Sequence, residues 1–262
     1  MANQNPYAAP RARVIDVVDV PAGEGEFIRD GRKVEFRRGF AWFSEAWKLF
    51  GHAPGTWIGM VLVLFLISVG LGFVPLIGPF VNYMLGPVFS AGLLLAAQSA
   101  AKQEQVEIGQ LFAGFQNQAS TLILLGLLFV LAWIIVGIGA VGVFFALGGF
   151  FAIQELMGGD FSTALIVAIL GAVLVGLILA TLAAMAMWFA PALVLLHEFR
   201  PVDAMRSSFA VCAKNLGPLT AFGLLAVALA VAAIIPFGLG LLVFAPLVTC
   251  ASYCAYRDLY FR

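Results

Sequence analysis

Charge is what this sequence has least of. Asp, Glu, Lys and Arg make up 11% of its 262 residues, whereas 63% are hydrophobic and the mean hydropathy is +1.04. A soluble domain carries roughly 25% charged residues, so the shortage excludes that class and implies an integral membrane protein. Basic and acidic residues balance at 14 each, which gives no reason to expect nucleic acid or an acidic substrate. Cysteine is limited to three, at 212, 250 and 254, an odd number that builds no evenly paired disulfide framework. Cys250 and Cys254 stand at i, i+4 and could join Cys212 on a metal, but small cysteines buried in a helix are the usual case, so neither metal nor cofactor is expected. The start, Met1-Ala-Asn-Gln-Asn-Pro6, lacks an apolar stretch directly behind a basic beginning. It is therefore not read as a cleavable signal peptide.

The gaps between charges carry the main signal. No Asp, Glu, Lys or Arg occurs in 49–101, 108–154, 161–197 or 215–256, which together hold 179 residues. A hydrocarbon core of about 30 Å takes about 20 helical residues to cross. The first and last gaps therefore hold two spans each, broken at Pro75-Leu-Ile-Gly78-Pro79 and Ile235-Pro-Phe-Gly238-Leu-Gly240, and the middle gaps hold one each. The expected fold is all-α: a polytopic membrane protein with six transmembrane helices at about 55–74, 80–101, 119–148, 162–197, 217–235 and 239–257. Residues 39–262 form this domain. Residues 1–38, charged, bearing Pro and Gly and poor in large apolar side chains, are expected to be a disordered tail. The run Arg13-Val-Ile-Asp-Val-Val-Asp-Val20 alternates enough to pair as a strand with a partner, but alone it is read as unpaired.

All 14 Lys and Arg fall in 11–48, at 102, in 200–214 or in 257–262, and the loops at 75–79, 149–160 and 236–240 have none. The positive-inside rule then places both termini in the cytoplasm.

Three short segments precede the odd-numbered spans with apolar residues at helical spacing: Phe40, Phe43, Trp47 and Phe50; Ile108, Leu111, Phe112 and Phe115; Val202, Met205, Phe209, Cys212 and Leu216. Each reads as an interfacial amphipathic helix with its apolar face toward lipid or the bundle. Trp47 precedes Gly55 by the same interval that separates Phe209 from Gly217, and each even-numbered span carries one proline, Pro87, Pro191 or Pro246. These spacings predict three helix-hairpin repeats, each led by an interfacial helix, with the middle copy enlarged at 142–160. The prolines are expected to kink their helices. Gly55 and Gly59, as GxxxG, together with Gly217, are expected to serve helix packing, within or between chains.

Asn5-Pro-Tyr-Ala-Ala-Pro10, Phe43-Ser-Glu-Ala-Trp47-Lys-Leu-Phe50, Leu111-Phe-Ala-Gly-Phe115, Trp188-Phe-Ala-Pro191-Ala-Leu193 and Tyr256-Arg-Asp258 carry a resemblance. The sequence resembles an uncharacterised group of bacterial inner-membrane proteins, whose membrane region looks like the one fused to some glycerophosphodiester phosphodiesterases. The resemblance covers most of 5–258. It implies a six-helix protein of the bacterial inner membrane and carries over no catalytic residue.

Little else suggests chemistry. Gly137-Ile-Gly139-Ala-Val-Gly142 fits GxGxxG, but within an apolar run it is read as close helix packing, because the dinucleotide motif works only between a strand and a helix. His197-Glu198 could relay protons, yet a helix terminus is the plainer reading. His52, Gln116 and Lys214 each stand five residues beyond a matching position of the repeat. Gathered in a ring they would contact an anionic headgroup; as solvated helix ends they would not. The polar content of the spans is Asn82, Tyr83, Ser90, Thr181 and Thr249, with no ionisable group at membrane depth of the kind transporters use. The expectation is a non-enzymatic membrane protein, an accessory, assembly or regulatory subunit in contact with the bilayer, with a protein partner at its tail or a second copy of itself. The alternative is a transporter-like or lipid-handling protein, with a groove between the kinked helices and Asn82, Ser90 and Thr249 lining it.

Overall fold

The computed structural model describes residues 25–75, 77–158 and 163–262. The alternating run at 13–20, the motif at 5–10 and Asp160 lie outside the described residues. Within them, α1 is Arg38–His52, α2 Pro54–Gly72 and α3 Ile77–Ala101. A 3-10 turn at Ile108–Phe112 and the short α4 (Ala113–Gln116) lead into α5 (Ala119–Ala146), α6 (Gly149–Met157), α7 (Thr163–Met187) and α8 (Ala190–His197). The chain ends with α9 (Pro201–Lys214), α10 (Leu216–Ile234) and α11 (Leu241–Tyr260).

Among the described residues, five helical stretches are long and apolar enough to cross a membrane: α2, α3, α5, α7 with α8, and α10. The sixth expected span forms a helix, α11, but does not match the other five in apolarity, because its final turns carry Tyr253, Tyr256, Arg257 and Asp258. These residues face inward: Tyr253, Tyr256 and Tyr260 are buried beside Cys250, Cys254 and Leu259.

The single helix expected over 162–197 is two. Trp188 and Phe189 leave the helix after Met187, and α8 restarts with Pro191 in its first turn, where a missing N–H costs nothing. Ser208, fully buried on α9, bridges the break: the Phe189 N–H donates to its Oγ at 3.1 Å, and that hydroxyl donates to the Met185 carbonyl at 2.7 Å. A helix break in an apolar setting needs such a partner, since no water is there to supply one. Pro87 and Pro246, by contrast, lie inside continuous helices.

The apolar stripes read from the sequence are mainly outward faces. On α1, Phe43 and Phe50 are buried, but Phe40 and Trp47 are exposed, and the fully buried aromatic is Trp42. Ile108, Phe115, Val202, Phe209 and Leu216 are exposed as well, whereas Leu111 and Cys212 are buried. These segments have apolar residues on two faces, and only one of them packs on the protein.

Gly55, Gly59 and Gly217 make no close backbone approach within the chain. A β-carbon on Gly55 would meet nothing, on Gly59 only the tip of Ile108, and on Gly217 only ordinary contact with Phe36. Backbones instead approach at Gly126, where a β-carbon would collide with the Met84 carbonyl, and at Gly92, where it would strike the carbonyls of Gln110 and Leu111. Small residues set helix separation only where the facing element is backbone. Gly137, Gly139 and Gly142 lie inside α5 rather than at a strand-to-helix turn, with Gly139 against Leu179 of α7.

Residues 25–37, read from the sequence as the end of the tail, fold onto the protein. Ile28 N–H donates to the Tyr260 carbonyl and Arg32 N–H to that of Leu259, both at 2.8 Å, and Phe27 forms an antiparallel bridge with Phe261. Composition suggested disorder because it counts charges. It does not see that Arg32 finds Asp258 and Arg29 the ring of Phe199.

Candidate functional site

Two places gather side chains from distant parts of the chain. The first is a knot where residues 25–38 meet the end of α11. Asp258, with its side chain only 9% exposed, accepts from Arg32 Nη2 at 2.5 Å, from Arg38 Nε at 2.6 Å and from Trp42 Nε1 at 3.0 Å. Glu45 accepts from Arg38 at 3.0 Å and from Arg257 at 3.3 Å. Burial lowers the pKa of Arg38, but the hydrogen bond and charge of Asp258, joined by Glu45, outweigh it and raise the guanidinium above its ordinary value. Asn215, 1% exposed, uses both ends of its amide: Oδ1 accepts from Val34 N–H, while Nδ2 donates to the carbonyls of Arg32 and Val211, each at 2.9 Å. Phe27 completes the knot by stacking on His197 at 3.8 Å between ring centroids. His197 Nε2 lies 2.6 Å from the Tyr256 hydroxyl, so its partners are aromatic, and Glu198 turns away as a left-handed cap of α8. Every member of the knot is matched to another, which makes it a fastening.

The second place is a groove of about 360 Å³, open on one side, lined by Pro87 and Pro191. Gly86, Pro87 and Ser90 of α3 form one wall. Ala184, Met187 and Trp188 at the end of α7, with Pro191, form the other, and Phe129 of α5 closes the back. Its lining is almost wholly apolar. The Ser90 hydroxyl turns onto the Pro87 carbonyl at 3.1 Å, and Trp188 Nε1 donates to Ser252 Oγ at 3.4 Å.

The groove unites two of the singled-out prolines, Pro87 and Pro191, with Ser90; Pro246 is buried elsewhere, in α11. Asn82 and Thr249 do not line it. Asn82 accepts from Ser68 of α2 at 3.2 Å, and Thr249 donates to the Ala245 carbonyl at 3.1 Å. His52, Gln116 and Lys214 are not joined by any hydrogen bond among the described residues. His52 contacts the Glu104 carbonyl at 3.0 Å, Lys214 donates to that of Asp30 at 2.9 Å, and Gln116 is exposed at the end of α4. Cys212, Cys250 and Cys254 are buried free thiols, and no three His, Cys, Asp or Glu side chains among the described residues are placed to hold a metal. Sequence reasoning missed Ser208, Asn215 and Trp42. A lone polar residue on the buried face of Ala204, Val211 and Cys212 was the available signal for Ser208; Asn215 stands between α9 and α10.

No family model matches the chain, and no solved structure matches it. It is similar to a protein of Burkholderia thailandensis named as a probable inner membrane protein, with 30% identity over 220 residues that cover 80% of this chain and 79% of that one. With its several membrane-length helices the chain is a multi-pass membrane protein, and it belongs to the family of that Burkholderia protein.

Proposed function

We propose that this is a non-enzymatic protein of the bacterial inner membrane, an accessory, assembly or regulatory subunit that presents its N-terminal residues to a partner on the cytoplasmic side. The chain crosses the membrane six times, α11 being the sixth crossing, as three hairpins each led by an interfacial segment. Both termini are cytoplasmic, and the membrane region is of the kind fused to some glycerophosphodiester phosphodiesterases. Supporting this are the stretches at 75–79, 149–160 and 236–240, which hold no Lys or Arg, and the outward Phe40, Trp47, Phe115 and Phe209, suited to the bilayer interface.

One observation carries the reading. Residues 26–32 are fastened along the end of α11, so Gly25, to which residues 1–24 are joined, is held at a fixed point beside Arg262. The converging charges, Asp258 and Glu45 with their arginines, are spent on making that fixed point. That is a structural use, and it supports a binding role over a catalytic one.

The test is mild-detergent purification of tagged protein from its native membrane, comparing the full chain with a deletion of 1–24. A stoichiometric partner lost with the deletion, while membrane insertion persists, is the expected result. A second copy of the chain as sole companion, or an unchanged partner set, would end the tail assignment. Alkaline phosphatase fused after Gly158 should be active, and a fluorescent protein fused after Arg262 should fluoresce. The reverse pattern would invert the topology.

A further inference from the structure

We propose that the groove between α3, α5 and the α7–α8 break holds one acyl chain of a bilayer phospholipid. The reading is independent of the role of the tail.

Shape comes first. The α7–α8 pair breaks just before Pro191 and α3 carries Pro87 within its length, and the groove lies between these two places. At about 360 Å³ it falls within the roughly 300–1,000 Å³ of small-molecule sites. Gly86 stands at its mouth, and a β-carbon there would meet nothing within 4 Å. Any larger residue would narrow the entrance.

Chemistry then selects the occupant. The two polar groups in the lining, the Ser90 hydroxyl and the Trp188 indole N–H, are both bonded to the protein's own atoms. A polar solute would find no free side-chain donor or charge to exchange for its water, and burying it would cost the hydrogen bonds it gave up. A hydrocarbon gives up none.

Depth and continuity select the source. Ser90 sits at the middle of the 25-residue α3. Its neighbours Val88 and Gly92 pack on the 108–116 segment, so the groove starts at the inner edge of the hydrocarbon core, where acyl chains leave their headgroups. Exposed Tyr83 of α3 and Trp133 of α5 stand one turn from Pro87 and Phe129 on the same helix faces, faces that meet lipid in a multi-pass membrane protein. A chain therefore enters sideways from the bilayer.

Photolabelling tests this. The full chain is reconstituted in vesicles of phosphatidylethanolamine and phosphatidylglycerol, with a trace of phosphatidylethanolamine bearing a diazirine midway along one acyl chain. After irradiation the adducts are mapped by mass spectrometry. Adducts should concentrate on Ser90, Phe129 and Met187 above the level on Leu174 and Leu177, which lie on the open face of α7. Gly86→Phe should reduce the groove adducts about tenfold and leave the α7 adducts unchanged. Gly137→Leu, also in open space but on another face of the bundle, should alter neither. Equal labelling of groove and open face would mean ordinary boundary lipid and overturn the proposal. So would groove labelling that Gly86→Phe leaves intact. If that variant does not fold, Ser90→Leu is read in the same way. Groove labelling by a diazirine fatty acid, with none from the phospholipid probe, would overturn the phospholipid assignment.

Discussion

Helices α7 and α11 face opposite environments. In α7 the aliphatic residues Ile166, Leu170, Leu174, Leu177 and Ile178 are each more than half exposed, and only Leu165, Ala168, Met185 and Met187 are buried along its 25 residues. In α11 the buried set includes Cys250, Ala251, Cys254, Ala255 and three tyrosines. The more apolar helix is the less buried. In water this would be inverted, because burial there removes apolar surface from solvent. In a bilayer the surroundings are as apolar as leucine, so helices associate through shape, small residues and polar groups instead. The core of this protein accordingly gathers small and aromatic residues and a few polar groups beside its buried leucines, while most of the large aliphatic residues of α7 form outer surface.

The contrast can be broken by matched truncations. Leu259→Ala, which opens a hole at a fully buried site on α11, should cost about 2–5 kcal/mol, while Leu174→Ala on the open face of α7 should stay within about 0.5 kcal/mol. Thermal unfolding in one detergent measures both, and equal costs would erase the distinction. Next in size, Asp258→Ala should cost about 2 kcal/mol. That is less than the roughly 3–5 kcal/mol of a fully buried pair, because Arg32 and Arg38 remain over a third exposed to screening solvent. Its specific signature is fast tryptic cleavage at Arg29 and Arg32, which the intact knot should resist.

Ser208→Ala sharpens the comparison at the α7–α8 break. It leaves the Phe189 N–H unpaired in an apolar site, for about 1.5 kcal/mol, and amide exchange at Phe189 should quicken while that in the body of α5 does not. Unchanged exchange at Phe189 would mean that Ser208 does not hold the break. The smallest effect concerns reactivity. Burial pushes the Cys212 thiol up to about 12, against a weaker lowering by its hydrogen bond to Ser208. At pH 8 the folded protein should therefore resist maleimide at Cys212, and unfolding in dodecyl sulfate should expose it. Labelling of the folded chain at the rate of a free thiol would place Cys212 outside the core.

Much of the helical framework was legible because charge and proline are punctuation in an apolar chain. The interruption at 75–79 straddles the start of α3, whose first turn holds Gly78 and Pro79, and that at 235–240 falls between α10 and α11. Packing was less legible. The stripe through Phe40 and Trp47 is outward, and Trp42, on the other face, is the buried anchor. Gly55 and Gly59 match a packing motif yet face open space and one side-chain tip, while Gly126 and Gly92 match none and carry the close approaches. A spacing rule reports which residues share a face, not what that face meets. The groove was half legible. Pro87, Pro191 and Ser90 were singled out, but Phe129 and Gly86 enter it only through the arrangement of three helices.

What the sequence determines by itself is the solvent: uncharged stretches of membrane length permit no other home, because desolvating charge is costly and apolar helices are not. It also determines where helices start and stop, since those signals are local. Only the tertiary structure decides which apolar face is core, that residues 25–37 belong to the folded body, and that one serine hydroxyl closes the broken helix. Each of these depends on a partner far away in the chain, such as Asp258 for Arg32 or Ser208 for Phe189. In a medium where apolarity no longer separates inside from outside, these pairings identify the core.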